Sequence, residues 1–350
     1  MHNKLSGRKK RDTLQKNYHF KKNGNPSVFL LKMLLSAAPN YLSGSEIATA
    51  LKMSRVGVWS RVNNLRKNGI SIEATQNLGY RFAGEPNFIE ENLINAWLEY
   101  IKCNQCLVDV REKVSSTNSE IEKSLPDRLS KVPIAIISNE QTNGKGRFTK
   151  KWSSPKGGNI YMSVGFKPNV DVIKLRYFTL LQGIEIARLL QKETNTEDVK
   201  IKWPNDIFLN GKKIGGMLTE ASIDCENVNS LTFGFGLNVN NTPRLVQNHF
   251  GVSSMKQELG TSFLLNEITA KIIKVTIKTY RKCILDKLST SLFASWKQFD
   301  FLYNKQITLL SGKKEIQGIA YGIDDAGGLK LKLKNGRIKV FHAGEITVKK

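Results

Sequence analysis

Apolar and polar positions over residues 26–86 follow the period of three helices and then of a short hairpin. Apolar residues from Leu30 to Leu35 recur at helical spacing, and Ser43 and Glu46 have the spacing of a capping box that begins the next helix. The predicted helices cover 27–37, 47–51 and 55–68, and the predicted strands cover 72–75 and 80–82. This order of elements is that of a winged helix-turn-helix.

The third predicted helix of this domain buries an apolar stripe of Val58, Val62 and Leu65 and turns polar side chains elsewhere. In a winged helix-turn-helix this helix enters the major groove, where donors near its N-terminus contact base edges. The predicted DNA contacts are Ser54, Arg55, Ser60, Arg61 and Asn64, with Asn77 and Arg81 at the wing. A domain of this shape can also serve only as a protein contact or an active-site lid.

Strands and helices alternate over residues 87–303, which predicts a catalytic domain of the α+β class. Asn210-Gly211 between two apolar runs predicts a two-residue hairpin, so neighbouring strands pair antiparallel. The run 160–166 alternates on a period of two residues. The predicted strands cover 134–138, 160–166, 199–203, 207–209, 214–219 and 231–239, and the predicted helices cover 92–101, 175–192, 264–288 and 292–301.

Residues 304–350 carry only strand patterns, separated by turns at 325–328 and at Asn335-Gly336. The predicted strands cover 307–310, 316–321, 329–333 and 339–342. This pattern predicts a small β-barrel without a catalytic constellation of its own.

The charge balance is strongly basic, with 54 Lys and Arg against 30 Asp and Glu, a net charge of +24. Such a balance suits an anionic partner: a nucleic acid, a phosphorylated substrate or an acidic protein. The excess is densest in residues 1–86, which hold fifteen Lys and Arg against four Asp and Glu. Residues 1–25 are basic and nearly free of apolar residues, which predicts a disordered tail.

The four cysteines are too few and too scattered for a disulfide framework in a chain of 350 residues. Cys103-x-x-Cys106 has zinc-ligand spacing, but a structural zinc needs four ligands and no second pair or His cluster follows. We therefore expect reduced thiols, no metal held by a dedicated side-chain cluster, and a cytoplasmic location. The apolar run 28–38 is interrupted by Lys32, and no stretch is long enough to span a bilayer.

The densest candidate for chemistry is the run from Gln141 to Arg147, followed by Trp152. Gly144 and Gly146 let backbone N–H groups turn towards an anion, while Lys145 and Arg147 add positive charge. The run lacks the third glycine of a dinucleotide fingerprint, and no phosphate-loop motif of the G-x4-G-K-[ST] type occurs in the chain. The sequence thus predicts an anion-binding loop of another kind.

A second candidate joins the end of one strand to the next strand of the predicted hairpin. Lys202-Trp203-Pro204-Asn205-Asp206 places polar groups at a strand end, and the hairpin returns Lys213 alongside. Gly215-Gly216 follows, and glycine within a strand often marks close approach by a ligand. Lys213 is then a fixed cation beside a ligand, with an exposed strand lysine as the alternative. Gly234-x-Gly236-Leu-Asn238 adds a second glycine-rich strand with a polar end.

Together and in this order, these segments resemble the bifunctional, repressor-containing (BirA-type) family of biotin–protein ligases. The resemblance runs from about residue 26 to the C-terminus. Ser116-Thr117-Asn118 is similar to the family's biotin-contacting S-T-N, and Gly344-Glu345-Ile346 to the G-E-I of its C-terminal barrel. The implied architecture is a winged helix (26–86), a ligase domain like the class II synthetases (87–303) and an SH3-like barrel (304–350).

The resemblance implies that biotin and ATP, with Mg²⁺, form biotinoyl-adenylate, and that a lysine of a biotin carboxyl carrier protein then accepts the biotin. It also implies an operator-DNA repressor that dimerises with ligand. Catalysis falls to Lys213, Arg147 and Asp206. The implied biotin contacts are Ser116, Thr117, Asn118, Gln141, Gly144, Lys145, Gly146, Arg147, Lys213 and Gly216. The implied ATP contacts are Arg147, Trp152, Lys202, Asn205, Lys213 and Asn238.

The loop departs from the family's common G-R-G-R-R-G-R, since Lys145, Phe148 and Thr149 replace expected residues. Lysine at 145 keeps the charge but loses the bidentate fork of arginine. Three alternatives stay open: a DNA-binding regulator whose ligase half only senses ligand, a ligase whose winged domain does not bind DNA, and a lipoate or octanoyl transferase.

Overall fold

The computed structural model describes residues 24–125, 132–148, 150–243, 250–285, 292–312 and 314–348. Almost all of the predicted basic tail, Thr149 and the end of the helix predicted over 264–288 lie outside the described residues. The chain divides into two compact units. The first unit comprises the chain up to Asn104 together with Leu264–Ala270, and the second comprises Gln105–Phe263 and Lys271–Lys350.

The first unit confirms the predicted winged helix-turn-helix. Its elements are helices α1 (Pro26–Ala37), α2 (Gly44–Leu51) and α3 (Arg55–Lys67), strands β1 (Ser71–Thr75) and β2 (Gly79–Gly84), and helix α4 (Glu91–Tyr100). The predicted capping box is present: Ser43 Oγ accepts from the Glu46 amide at 3.1 Å, and the Glu46 carboxylate accepts from the Ser43 amide at 3.0 Å. Helix α4 packs against α1, so the unit extends beyond the interval predicted for the winged domain.

The second unit is built on a mixed sheet. Its next elements are β3 (Leu107–Arg111), α5 (Thr117–Ser124), β4 (Ile134–Ser138), β5 (Gln141–Lys145), β6 (Lys151–Ser154), β7 (Asn159–Phe166), β8 (Val170–Asp171), α6 (Phe178–Thr194), β9 (Val199–Lys202), β10 (Asp206–Leu209), β11 (Lys212–Asp224) and β12 (Asn227–Asn238). The main path of the sheet is β3-β4-β7-β12-β11-β10-β9, in which only β3 and β4 pair in parallel among the described strands. The prediction of an α+β domain with antiparallel hairpins is therefore confirmed.

The central strand β7 is buried at all eight positions, although its sequence alternates on a period of two. Helices cover both of its faces. A Cβ at Gly165 would lie within 3.3 Å of Leu125, just after α5, whereas Phe166 on the opposite face stacks on Tyr280 with ring centroids 4.0 Å apart. The polar member Ser163 is fully buried because its hydroxyl has hydrogen-bond partners on α5.

The C-terminal part of the second unit adds three helices and five strands. They are α7 (Met255–Leu259), α8 (Leu265–Ile284), α9 (Leu292–Phe299), β13 (Gln306–Ser311), β14 (Lys314–Ile323), β15 (Leu329–Lys332), β16 (Ile338–Phe341) and β17 (Glu345–Val348); α8 begins in the first unit. The strands form an antiparallel sheet in the order β16-β15-β14-β13-β17. Four of them match the predicted strands. The fifth, β17, was not predicted and pairs Ile346 with Leu309.

Candidate active site and nucleic-acid interface

One cavity in the second unit collects most of the side chains that the motifs singled out, and its volume is about 760 Å³. The start of α5, the hairpin β5–β6, the strands β9 to β11 and the end of β12 contribute to its wall. The predicted residues on that wall are Ser116, Thr117, Asn118, Gln141, Lys145, Gly146, Arg147, Trp152, Lys202, Asn205, Asp206, Lys213, Gly216 and Asn238. Gly144 is not among them and lines a neighbouring depression beside Glu220. Lys213 and the 145–147 segment therefore both line one cavity.

Lys213 is held at the beginning of β11 by an ion pair across the hairpin. Its Nζ lies 2.7 Å from Asp206 Oδ1, and both side chains are about four-fifths buried, with exposures of 19% and 17%. The hairpin that brings them together turns at Asn210-Gly211, both with positive φ, as the two-residue turn signal predicts. The ammonium also lies 5.4 Å from the centre of the Trp152 ring. Lys213 is thus a fixed cation on the cavity wall.

The basic run from Lys145 to Arg147 forms the tip of a β-hairpin, a feature that the sequence did not predict. Gly144 pairs with Trp152 and Lys145 with Lys151, so β5 and β6 carry the basic residues out on a two-stranded arm. Arg147 reaches across the cavity, where Nη1 lies 3.5 Å from Asn205 Oδ1, and its guanidinium stacks 4.7 Å from the ring centre of Phe148. The arm thus adds positive charge to the cavity that Lys213 also lines.

Hydrogen bonds lock the residues at the start of α5 to the base of this arm. The Thr117 amide donates to Gln141 Oε1 at 2.8 Å, and Gln141 Nε2 donates to Ser154 Oγ at 2.8 Å. Ser116, Thr117 and Asn118 are each at most 4% exposed. Buried polar side chains that line a cavity in fixed orientation are suited to recognise a polar ligand.

Glycines on β11 and β12 let the Trp152 indole lie directly on the sheet. A Cβ at Gly236 would lie 2.5 Å from Trp152 Cε2, and a Cβ at Gly216 would lie 3.2 Å from Trp152 Cζ3. Trp152 Nε1 is buried without a hydrogen-bond partner among the described residues. Any side chain at position 236 would push the indole off the sheet.

A second buried polar atom without a partner lies at the end of β12. Asn238 is 1% exposed, and its Nδ2 donates to the Ser253 carbonyl at 2.9 Å, while its Oδ1 has no hydrogen-bond partner in the described chain. Burial of an unsatisfied acceptor is costly, and a ligand donor would satisfy it. Lys202 is 9% exposed and lies 4.9 Å from the centre of the Phe250 ring. These atoms suit a ligand with an amino group and phosphates.

Sequence inspection missed three side chains that support this wall: Ser154, Ser163 and Glu220. They carry no motif, because each acts through a contact distant in sequence; Asn118 and Glu220, for example, are 102 residues apart. Phe250 was also missed. The glycine-rich segment 234–236 was the one sequence signal for the part of the wall around Asn118.

Polar residues of α3 in the first unit have differing surroundings. Arg55, Ser60 and Asn64 are exposed, as is Asn77 at the tip of the wing. Val58, Val62 and Leu65 are buried, which confirms the predicted stripe. Ser54 caps α3 by accepting from the Gly57 amide at 3.1 Å.

The two other predicted DNA contacts have intramolecular partners. Arg61 Nη1 donates to Ser27 Oγ at 3.0 Å, so this side chain turns towards the start of α1. Arg81 donates to the Glu73 carboxylate and stacks 4.8 Å from the ring centre of Tyr41. The exposed face of α3 also presents two apolar side chains that were not predicted, Val56 and Trp59, with exposures of 73% and 58%.

The described ranges contain neither a side-chain cluster suited to a metal ion nor a helix that could cross a membrane. No group of three or more His, Cys, Asp or Glu side chains suited to a metal ion occurs there. No disulfide joins Cys103, Cys106, Cys225 or Cys283 to another described cysteine. None of the helices in this part of the chain has the length and apolar character that a membrane crossing requires.

Three family models match successive parts of the chain. An HTH domain matches residues 29–81, the biotin/lipoate A/B protein ligase family matches 110–238, and the biotin protein ligase C-terminal domain matches 303–349. The bifunctional ligase/repressor BirA of Bacillus spizizenii is 30% identical over 322 residues, which cover 90% of this chain and 96% of that protein. The chain belongs to the BirA family of bifunctional ligase/repressors.

Further relatives agree with this assignment. The BirA of Escherichia coli K12 is 29% identical over 327 residues, covering 92% of this chain and 98% of that protein. A biotin protein ligase from Aquifex aeolicus, solved in complex with biotin and ATP, has the same fold over 69% of this chain and 98% of its own, with a TM-score of 0.58 and 24% identity. BirA membership accounts for a winged helix and a ligase domain in one chain.

Proposed function

We propose that this chain activates biotin with ATP, transfers it to a lysine of a biotin carboxyl carrier protein, and represses transcription through its winged helix. The observation that carries the ligase activity is the meeting of Lys213 and the Arg147 arm on one cavity wall. A carboxylate and a triphosphate repel each other, and fixed cations between them offset that repulsion. Membership of the BirA family supports both activities.

In the first step, an oxygen of the biotin carboxylate attacks the α-phosphorus of ATP. A P–O bond forms, the bond to the β-phosphate breaks, and pyrophosphate leaves with the bonding electrons. Lys213 lies where its ammonium can bridge the carboxylate and the α-phosphate, and Asp206 fixes its position through the 2.7 Å ion pair. Arg147 and the amide groups of the arm hold the phosphate.

In the second step, the acceptor lysine attacks the carbonyl carbon of the mixed anhydride. A C–N bond forms, the C–O bond to phosphate breaks, and AMP leaves while the amine loses a proton. Asp206 is the one carboxylate among the described residues of the cavity wall, so it is the candidate to orient the incoming amine. The arm keeps water away from the anhydride until the carrier arrives.

The two substrates occupy different parts of the wall. Biotin's polar groups bind Ser116, Thr117, Asn118 and Gln141, with Lys145, Gly146 and Gly216 close to the ligand, whereas Gly144 lies outside this cavity. The nucleotide binds Trp152, Lys202, Asn205 and Asn238, where the unpartnered Asn238 Oδ1 accepts from the adenine amino group. A Mg²⁺ ion would be held chiefly by the phosphates, with Asp206 as the one carboxylate of the described cavity wall that could add to its ligands, and it would supply positive charge to the leaving pyrophosphate.

Lys213→Ala tests the ligase proposal. We expect ATP–pyrophosphate exchange dependent on biotin to fall about 10²- to 10³-fold, as for removal of one transition-state charge partner. Lys212→Ala is the matched control, since Lys212 is the preceding lysine of β11 and pairs with Glu258 at 2.9 Å, away from the cavity wall. Exchange at the wild-type rate in Lys213→Ala would remove this lysine from the mechanism. Absence of transfer to any carrier in a bacterial lysate would favour a ligand sensor.

The regulatory proposal is that adenylate promotes a homodimer that binds operator DNA more tightly. The two sites are then coupled, and by linkage DNA must raise the affinity for adenylate by the same factor. A gel-shift titration with and without biotin and ATP measures this coupling. Equal DNA affinity in both conditions would leave the chain a ligase without ligand-dependent repression.

A further inference from the structure

Glu220 lies on β11 between the start of α5 and the basic arm. Asn118 Nδ2 donates to Glu220 Oε2 at 2.6 Å. The other carboxylate oxygen lies 3.9 Å from Lys145 Nζ, whose nearer partner is Glu122 at 3.3 Å. One carboxylate thus contacts both a residue of the biotin motif and the lysine of the arm.

The Asn118 amide is held in one orientation from both ends. Ser163 Oγ donates to Asn118 Oδ1 at 2.6 Å and lies 2.7 Å from Thr117 Oγ1. An ionised carboxylate only accepts hydrogen bonds, so Glu220 requires the NH₂ end of the amide to face it, and the carbonyl end then faces the serine hydroxyl. Ser163 is fully buried and Asn118 is 4% exposed, whereas the Glu220 side chain is 35% exposed, so water can compete only at the carboxylate end of the amide.

Close packing against β12 prevents Asn118 from adjusting. A Cβ at Gly234 would lie 2.9 Å from Asn118 Cγ and 3.1 Å from its Nδ2. The amide therefore packs closely against the glycine backbone, and hydrogen bonds at its two ends fix its orientation.

We propose that Glu220 is a positioning residue for biotin binding, which orients the Asn118 amide through its hydrogen bond and acts only secondarily through Lys145. This inference rests on the proposed function, because Asn118 is a biotin contact only if the chain binds biotin. A side chain that sets the orientation of a contact residue affects the affinity for biotin without touching the nucleotide. The effect of Glu220 on Asn118 can be separated from its effect on the arm, because Glu122 is the closer partner of Lys145.

Three variants of the full chain separate the two contacts of Glu220. Glu220→Ala removes both, Glu220→Gln keeps an acceptor oxygen for Asn118 but loses the charge, and Glu122→Ala removes only the nearer partner of Lys145. Biotin affinity is measured by calorimetry without ATP, and the KM values for biotin and ATP by pyrophosphate exchange.

We expect Glu220→Ala to weaken biotin binding about tenfold, the scale of one lost hydrogen bond to a charged group, while the KM for ATP stays constant. Glu220→Gln should restore affinity to within about threefold of the wild type, and Glu122→Ala should match the wild type. Wild-type affinity in Glu220→Ala would overturn the positioning role, as would an equal loss in Glu122→Ala, which would assign the effect to the arm. Wild-type protein that binds no biotin would instead refute the proposed function, and the positioning role with it.

Discussion

Glu85 follows β2 and places its carboxyl group among three hydrogen-bond donors of the first unit. Trp97 Nε1 donates to Oε1 at 2.5 Å, and Asn266 donates to Oε2 through its amide at 2.7 Å and through Nδ2 at 3.3 Å. Burial nevertheless raises the pKa of Glu85 from 4.5 to about 7, because loss of hydration outweighs the lowering by Asn266 and Trp97. We predict that Glu85→Gln removes a pH-dependent loss of stability.

The sign follows from proton binding. Between pH 4.5 and about 7 the folded protein keeps the Glu85 proton that the unfolded chain has lost, so the free energy of unfolding falls as pH rises. Below pH 4.5 both states are protonated and no penalty exists. Above pH 7 the penalty reaches its full size, at most about 3 kcal/mol, since each pKa unit corresponds to about 1.4 kcal/mol. Partial exposure of the side chain makes this an upper bound.

Urea denaturation of the full chain at pH 5 and pH 8 measures the effect. Glutamine replaces one acceptor oxygen with an NH₂ group, and the resulting loss of stability is the same at both pH values. The informative quantity is therefore how the difference in the free energy of unfolding between variant and wild type changes with pH. We expect that difference to shift in favour of Glu85→Gln by about 1–3 kcal/mol from pH 5 to pH 8. Hydrogen exchange at the Asn266 amide should report the same trend locally.

Glu73→Gln is a control whose difference from the wild type should stay nearly constant between pH 5 and pH 8, because the titration of Glu73 lies below this interval. Hydrogen bonds from Tyr41 and Arg81 lower the pKa of Glu73, so its stabilisation is present above its ordinary pKa and is lost as pH falls. A difference between Glu85→Gln and wild type that does not change from pH 5 to pH 8 would refute the reasoning. It would mean that the three donors cancel the effect of burial on Glu85.

Four further substitutions probe the site and the DNA interface. Arg147→Ala should release the adenylate, so that bystander lysines are biotinylated in a mixture of proteins; labelling confined to the carrier would contradict the role of Arg147. Gly236→Ala should displace Trp152, whose Cε2 lies 2.5 Å from the added Cβ, and raise the KM for ATP about tenfold or more; an unchanged KM would show that the indole does not contact the nucleotide. If Arg55 contacts a phosphate, Arg55→Ala should reduce the salt dependence of DNA binding by about one counterion. Trp59→Ala should weaken DNA binding without changing its salt dependence. The reverse pattern would contradict both assignments.

Local sequence signals predicted much of the fold. The capping box at Ser43 and the turn at Asn210-Gly211 depend on residues within a few positions of each other, so the sequence alone identified both. Strand β17 was missed because it is short and gains its stability from pairing with β13. The hairpin β5–β6 was missed because its polar residues lack the alternation of a half-buried strand.

The candidate site likewise contains residues that local motifs predicted and residues that they did not. Lys213, Asp206 and the basic residues 145–147 were predicted as site residues from motifs, because consecutive residues carry the charge and the glycines. Glu220 and Ser163 were not, since their roles depend on Asn118, which only the order of strands in the sheet brings alongside. Spacing along the chain carries no information about contacts that cross from α5 to the middle of a sheet.

The charge on the cavity wall distinguishes adenylation from simple acyl transfer. Six cationic side chains line the cavity among the described residues: Lys145, Arg147, Lys150, Lys151, Lys202 and Lys213. Asp206 is the one carboxylate with them, and it is already paired with Lys213. A low-dielectric cleft lined by positive charge concentrates anions. A triphosphate and a carboxylate that react with each other need this charge to offset their repulsion, whereas a thioester or amide acyl donor does not. The excess of cationic over anionic side chains on this wall therefore favours a site where two anions react over a lipoate or octanoyl transferase that takes no nucleotide.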